Sequence, residues 1–95
     1  RVRVITDGNV NYGQNNELVI FTGDNGSYTL PNAAVAASQV GTRITFKLYS
    51  GSNCRIFRNG ALINGLAEDL FVDVIQSSFN LVLVNIGGTK QWITI

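Results

Sequence analysis

The most informative stretch of the sequence is Asn80-Leu-Val-Leu-Val-Asn-Ile-Gly-Gly-Thr-Lys-Gln-Trp-Ile-Thr-Ile95. An apolar run, the Gly87-Gly88 pair and a second β-rich run predict a β-hairpin. Residues 81–84 are four apolar side chains in succession, and the side chains of a strand point alternately to opposite faces. Both faces of this strand should therefore pack against other residues, and a chain of 95 residues has few with which to cover two faces.

The rest of the chain alternates short β-rich runs with turn residues. In the clearest run, residues 42–49, Ile44, Phe46 and Leu48 alternate with polar residues and are predicted to face the core. Turn signals recur about every 8 to 12 residues, which is typical of an all-β sandwich or barrel. We therefore predict one domain over residues 1–95, an antiparallel β-sandwich of jelly-roll type. Further strands are predicted at 1–6, 9–12, 17–22, 27–30, 54–58, 61–63 and 69–75.

Three local predictions accompany this fold. The strand at 27–30 is expected to pair back on the strand at 17–22, and Asn59-Gly60 is expected to close a second hairpin. The segment 32–38 has helical propensity but is too short for an isolated helix. We expect one helical turn or an irregular crossover there, with Asn32 as a candidate N-cap.

Composition excludes several classes of partner. The net charge is +1, which is too balanced to predict binding to nucleic acid. No apolar run approaches the roughly 20 residues of a transmembrane helix, so we expect no membrane insertion. The single cysteine, Cys54, excludes an intrachain disulfide and a multi-cysteine metal site, and is predicted to be a small core residue.

Catalytic chemistry is difficult to find in the sequence. The chain has no histidine, the commonest general base and metal ligand. On a strand, Asp69 and Asp73 would lie roughly 13 Å apart, farther than the ~5 to 9.5 Å of a glycosidase pair. Residues 7–9 and 24–26 lack the spaced carboxylates of a calcium loop, and turn chemistry explains both. We expect no enzymatic activity, no catalytic residue, no metal site and no cofactor.

Two aromatic residues are candidates for ligand binding. If Ile93 and Ile95 face the core, Trp92 points outward. An outward tryptophan can stack on the apolar face of a sugar or fill a groove between subunits, whereas the alternative is packing under a loop of its own chain. Tyr49, at the end of its strand, is also predicted to face outward beside a polar residue, Lys47.

Arg55 is the third candidate ligand residue. With Phe57 and Arg58 it places basic and aromatic groups close together, as surfaces that bind single-stranded nucleic acid do. No RNA-binding, OB-fold or zinc signature accompanies the cluster and the net charge gives no support, so an edge strand blunted by charge is the preferred interpretation.

Several segments also form a longer pattern, namely Leu30-Pro31, Val40-Gly-Thr-Arg-Ile-Thr-Phe46, Ile63-Asn-Gly65, Asn80-Leu-Val-Leu-Val84 and Trp92-Ile-Thr-Ile95. The pattern resembles the C-terminal β-domains of bacteriophage tailspikes and tail fibres. In those domains a strand ending in Leu-Pro leads to a Val-Gly turn and an Ile-Thr-Phe strand. A hairpin with Asn-Gly turns and a closing hairpin with a tryptophan follow. The resemblance covers residues 27–95, and no catalytic residue of the family maps onto it.

The resemblance implies a C-terminal domain of a longer fibrous virion protein, made in the bacterial cytoplasm. Its partners would be two further copies in a homotrimer and a bacterial surface polysaccharide, with any polysaccharide-degrading activity upstream. The residues agree in one respect: apolar side chains on both faces of residues 18–21, 71–75 and 81–84 would be covered in a cyclic oligomer. The alternative is a stand-alone carbohydrate-binding module of an extracellular protein that holds glycan on Trp92, Tyr49 and Arg55.

Overall fold

A computed structural model describes residues 1–32 and 40–95. These residues form strands and no helix, so the all-β prediction is confirmed for them, and they contain no helix that could cross a membrane. The predicted helical turn or crossover at 32–38 lies outside the described residues, Asn32 excepted. The strands are β1 (Val2–Ile5), β2 (Asn9–Asn11), β3 (Glu17–Phe21), β4 (Gly26–Thr29), β5 (Arg43–Leu48), β6 (Cys54–Phe57), β7 (Leu62–Ile63), β8 (Leu70–Val72), β9 (Ser78–Ile86) and β10 (Thr89–Thr94).

The strands form two sheets, of six strands in the order β1-β3-β5-β9-β10-β7 and of four in the order β2-β4-β6-β8. Strands β1, β3 and β5 are parallel neighbours in the first sheet, and β2, β4 and β6 are parallel neighbours in the second. The chain therefore crosses between the sheets after each strand from β1 to β6. Each pair β1–β2, β3–β4 and β5–β6 is one coil, and the three coils stack as in a β-solenoid.

This topology corrects the prediction of an antiparallel sandwich. Among the pairings of described strands, five are parallel and three antiparallel. The predicted hairpin of residues 17–22 and 27–30 is also wrong, because β3 and β4 lie in different sheets. The turn residues between them mark a corner of the coil. Turn chemistry reverses or redirects the chain but does not select its hydrogen-bonding partner.

Stacking aligns the inward side chains of successive coils. Ile5 pairs with Phe21 and Phe21 with Leu48, and all three are buried. Tyr28 of β4 reaches Phe46 of β5 across the core, with ring centroids 5.0 Å apart and an interplanar angle of 83°. The inward orientation predicted for Ile44, Phe46 and Leu48 is confirmed, since these side chains are at most 1% exposed.

One corner of the stack requires glycine. A Cβ atom on Gly23 would overlap the carbonyl oxygen of Thr6, and one on Gly51 would overlap the carbonyl oxygen of Gly23. Thr6, Gly23 and Gly51 follow β1, β3 and β5, so the three coils touch backbone to backbone as they leave the six-stranded sheet. Gly51 also has a φ of +93°, which side chains rarely allow.

Antiparallel strands close one end of the stack. Strand β9 pairs with β5, and β8 pairs with β6. The hairpin predicted around Gly87-Gly88 is confirmed, with Thr89 opposite Ile86. The Asn59-Gly60 turn is formed with positive φ at both residues, but its predicted hairpin is wrong, because β7 crosses to the six-stranded sheet and pairs with β10. At the other end of the stack, β1 and β2 are edge strands.

Candidate functional site

Trp92 lies in the core, so its predicted outward orientation is wrong. Its side chain is 0% exposed and pairs in register with Leu83 on β9 and Ile63 on β7. The predicted inward residues are on the other face: Ile93 is half-buried and Ile95 is 59% exposed. Residues 92, 93 and 95 are all apolar, so alternation alone allows either Trp92 or Ile93 and Ile95 to face the core. Burial of the larger Trp92 ring gains more free energy.

The other two predicted ligand residues are on the surface, on different sheets. Tyr49 follows β5 of the six-stranded sheet and is 57% exposed. Arg55 is exposed on β6 of the four-stranded sheet. The structure therefore does not bring Trp92, Tyr49 and Arg55 together as one surface.

Arg55 belongs to a row of outward side chains that crosses the whole four-stranded sheet. The row consists of Asn9, Ser27, Arg55 and Phe71, each in register with the next. Because β6 lies between β4 and β8, the interpretation of an edge strand blunted by charge is wrong. The buried neighbours of Arg55 on β6, Cys54 and Ile56, hold the strand against the core and direct Arg55 outward.

The guanidinium of Arg55 is positioned by an aromatic ring. Its Cζ lies 5.2 Å from the ring centroid of Phe71, which is itself 53% exposed. Among the residues that the structure describes, ion pairs within 4.0 Å involve Glu17 and its arginines and do not include Arg55. Arg55 is thus a surface cation that lies against an aromatic ring and has no acidic partner in the described part of the chain, and its N–H groups are available to an external acceptor.

A groove of about 200 Å³ adjoins Arg55. Its walls come from β4, β6 and the corners that precede these strands, and the lining residues are Asn25, Gly26, Ser27, Asn53, Arg55 and Phe57. The amides and the hydroxyl offer donors and acceptors, and Phe57 offers an aromatic side. We call this groove, with Phe71, the Arg55 groove.

Hydrogen bonds hold the polar side of the Arg55 groove in place. The Asn9 carboxamide oxygen accepts bonds from the hydroxyls of Ser27, at 2.9 Å, and Thr29, at 3.0 Å. The side-chain carboxamide of Asn53 donates to the Ser52 hydroxyl at 3.0 Å, and the backbone N–H of Ser52 donates to the Asp24 carboxylate at 3.0 Å. These contacts fix side chains that would otherwise pay rotamer entropy on binding a ligand.

A second polar cluster is buried between the sheets. The Glu17 carboxylate accepts hydrogen bonds from the Tyr28 hydroxyl and from the Gly13 amide, the latter at 2.9 Å. It also lies 3.0 Å from Nε of Arg3 and 3.8 Å from Nε of Arg1. Burial and the bond to Glu17 raise the pKa of Tyr28 well above its usual range. Glu17 is not recognisable as a core residue from the sequence, because its position at the start of an apolar strand suggests an exposed end.

The outward face of the six-stranded sheet is apolar at both sides. Val2 pairs with Leu18 and Val4 with Ile20 at one side, and both valines are 62% exposed. At the other side are Val82, Val84, Ile86 and Ile93. A polar strip separates the two sides, with Thr45 bonded to Asn80 at 2.6 Å and Lys47 bonded to the Gln76 carbonyl at 3.2 Å.

Within residues 1–32 and 40–95, no group of three or more metal-ligating side chains comes together. No protein-family model matches the chain, and the search of curated proteins found no match.

Proposed function

We propose that this chain forms the terminal domain of a trimeric fibrous protein of the bacteriophage tailspike or tail-fibre kind. In the virion it joins the three subunits and binds glycan on the bacterial surface. It carries no catalytic residues, and any polysaccharide-degrading activity belongs to an upstream domain.

The observation that carries the proposal is the polarity of the coil stack. Strands β1 and β2, the two strands of the first coil, are both sheet edges, whereas β8 and β9 pair antiparallel to the last coil. Strand β1 pairs in parallel with β3, and β2 pairs in parallel with β4. A further coil of upstream chain can hydrogen-bond to the free edges of β1 and β2 in the same way. Solenoid proteins need a distinct terminal cap, and strands β7–β10 have the topology of one.

The outward face of the six-stranded sheet supports trimer formation. The exposed side chains of Val2, Val4 and Ile86 leave apolar surface in water, at 62%, 62% and 56% exposure. A closed cyclic oligomer covers such a face on every subunit. An obligate interface of this type buries on the order of 2,000 Å² or more. The polar strip around Thr45 and Lys47 would then fix the register of the subunits.

Light scattering tests the trimer directly. We expect the 95-residue chain to have the mass of three copies at micromolar concentration. Val4→Lys places a charge on the apolar face and should lower the oligomer mass, while Val74→Lys is the matched control. Val4 and Val74 are 62% and 65% exposed, and Val74 lies in the loop after β8. A monomeric wild-type chain, or equal effects of the two substitutions, would exclude this interface.

A stand-alone carbohydrate-binding module is the second candidate. The exposed Arg55–Phe71 pair beside a polar groove favours it, since ordered polar groups with an aromatic side are suited to sugars. The two candidates differ in oligomeric state. A chain that binds glycan as a monomer would favour the module over the fibre domain.

A further inference from the structure

We infer that the Arg55 groove binds an acidic sugar, with Arg55 pairing to the sugar carboxylate. The inference rests on the proposed glycan binding and adds to it a location and a class of ligand. The observation that carries it is a guanidinium that lies over the ring of Phe71 and lines a polar groove beside Phe57.

Arg55 is suited to a carboxylate in particular. A guanidinium presents its N–H groups in a planar fork that matches both carboxylate oxygens. Because Arg55 lies over the ring of Phe71, part of its rotamer entropy is already lost before a ligand binds. The carboxylates that neighbour the groove along the chain, Asp24 and Asp73, make no ion pair with Arg55 within the described residues.

The surroundings of Arg55 are suited to a sugar ring. Phe71 is exposed and Phe57 is half-buried, and their rings can contact the C–H groups of a pyranose. Amides of Asn25 and Asn53 lie on the polar side, where ring hydroxyls would find donors and acceptors. The volume of about 200 Å³ is below the ~300 to 1,000 Å³ of pockets that enclose drug-sized ligands, so the groove takes one sugar residue of a longer glycan.

A nucleic acid fits this surface less well. Neutralising a phosphate backbone takes several cations in a row, and Arg55 is the one basic residue that lines the groove. The side chain of Arg58 on the neighbouring turn donates to the carbonyl of Ala61 at 3.1 Å. One arginine beside an aromatic ring can instead recognise a single negative charge on a sugar ring.

The test is an NMR titration of the ¹⁵N-labelled 95-residue chain with three probes. D-Glucuronate supplies both a sugar ring and a carboxylate, D-glucose supplies the ring alone, and acetate supplies the carboxylate alone. We expect saturable shifts on β4, β6 and Phe71 of β8 with glucuronate at millimolar concentration, and much weaker shifts with glucose or acetate. Acetate shifts as large as those with glucuronate would show simple anion binding. Glucose shifts as large as those with glucuronate would show that the carboxylate does not contribute to binding. Either result, or no shift with glucuronate, overturns the inference.

Substitutions locate the site. Arg55→Gln should raise the dissociation constant for glucuronate about tenfold, the loss expected for one charge-assisted contact. Arg43→Gln removes the same charge from an exposed residue on β5 of the other sheet and should leave the constant unchanged. Phe71→Ala should weaken glucuronate binding more than acetate binding, because both ligands lose the positioned guanidinium but only glucuronate has a ring to contact. Equal effects of Arg55→Gln and Arg43→Gln would contradict the assignment.

Failure of this inference is separable from failure of the proposed function. A trimer that binds neutral host glycans but not glucuronate would preserve the fibre domain and exclude the acidic specificity. A monomer that binds glucuronate through Arg55 would preserve the site and exclude the trimeric fibre. Oligomer mass and the glucuronate titration are therefore measured on the same samples.

Discussion

The hydroxyl of Tyr28, on the four-stranded sheet, donates a hydrogen bond to the carboxylate of Glu17, on the six-stranded sheet. The bond lies in the core, where both side chains are 0% exposed. Arg3 of the first coil reaches the same carboxylate, with its Nε at 3.0 Å, and also donates to the Asn11 carbonyl at 2.6 Å. Glu17 thus joins the two sheets and ties the first coil to the second.

Glu17→Gln should destabilise the chain strongly. The substitution leaves Arg3 without a counter-ion, and breaking a buried ion pair at one partner costs about 3 to 5 kcal/mol. Arg1 and Arg3 retain side-chain exposures of 44% and 20%, so solvent screening lowers the expected loss to about 2 to 3 kcal/mol. The midpoint of urea denaturation, with an unchanged slope, measures this loss.

The matched control for this substitution is Glu68→Gln, since Glu68 is exposed. It should move the midpoint little. Tyr28→Phe should cost about 1 kcal/mol or more, and the double variant should lose less than the sum of the single losses, because Tyr28→Phe removes and Glu17→Gln weakens the same hydrogen bond. Additive losses would show that the hydroxyl and the carboxylate act independently.

The buried thiol of Cys54 should make the folded chain less stable at alkaline pH. Burial raises the pKa of its thiol from 9.0 to about 11, so the folded chain holds this proton more tightly than the unfolded chain. The resulting stabilisation is complete below pH 9 and is lost as the pH rises toward 11. Two pKa units correspond to about 2 to 3 kcal/mol. Denaturation of the wild type and Cys54→Ala at several pH values should show their stability difference shrinking over this window. A constant difference would contradict the prediction.

The stacked corner predicts a difference between two glycines of similar backbone conformation. Gly51 and Gly41 have φ values of +93° and +98°. A Cβ atom on Gly51 would overlap the carbonyl oxygen of Gly23, whereas one on Gly41 would meet no atom of residues 1–32 and 40–95 within 4 Å. Gly41→Ala should therefore cost about 1 kcal/mol, from backbone strain alone. Gly51→Ala should cost several times more or prevent folding, as thermal denaturation would show. Equal losses would mean that the coils do not stack at this corner.

Local patterns predicted much of the fold. The alternation of Ile44, Phe46 and Leu48 gave the buried face of β5, and the Gly87-Gly88 pair gave the final hairpin. The parallel pairing was missed because it joins residues far apart in the chain, as when Gly26 pairs with Cys54. Turn residues such as Asn59-Gly60 have the backbone conformation that their chemistry predicts, but sheet membership is decided by contacts beyond the turn.

Strands with two apolar faces could not be oriented from sequence. The structure places Leu81 and Leu83 in the core and Val82 and Val84 on the outward face. Period-two alternation fits both choices, and only packing against the opposite sheet separates them. The candidate site was found in part: Arg55 was identified, but Phe71 was not, because its position opposite Arg55 depends on the pairing of β6 with β8.

The fluorescence of the folded chain should report on Trp92, because it is the one tryptophan in the sequence. With 0% exposure, its emission should be blue-shifted and protected from iodide, and denaturation should remove both properties. Its Nε1 has no hydrogen-bond partner among the described residues, so Trp92→Phe should cost less than Trp92→Ala, for which about 3 to 5 kcal/mol is expected. Glycan binding by Trp92→Ala should fall only as far as the chain unfolds. Iodide quenching of the native chain as strong as that of the denatured chain would instead place the indole at the surface.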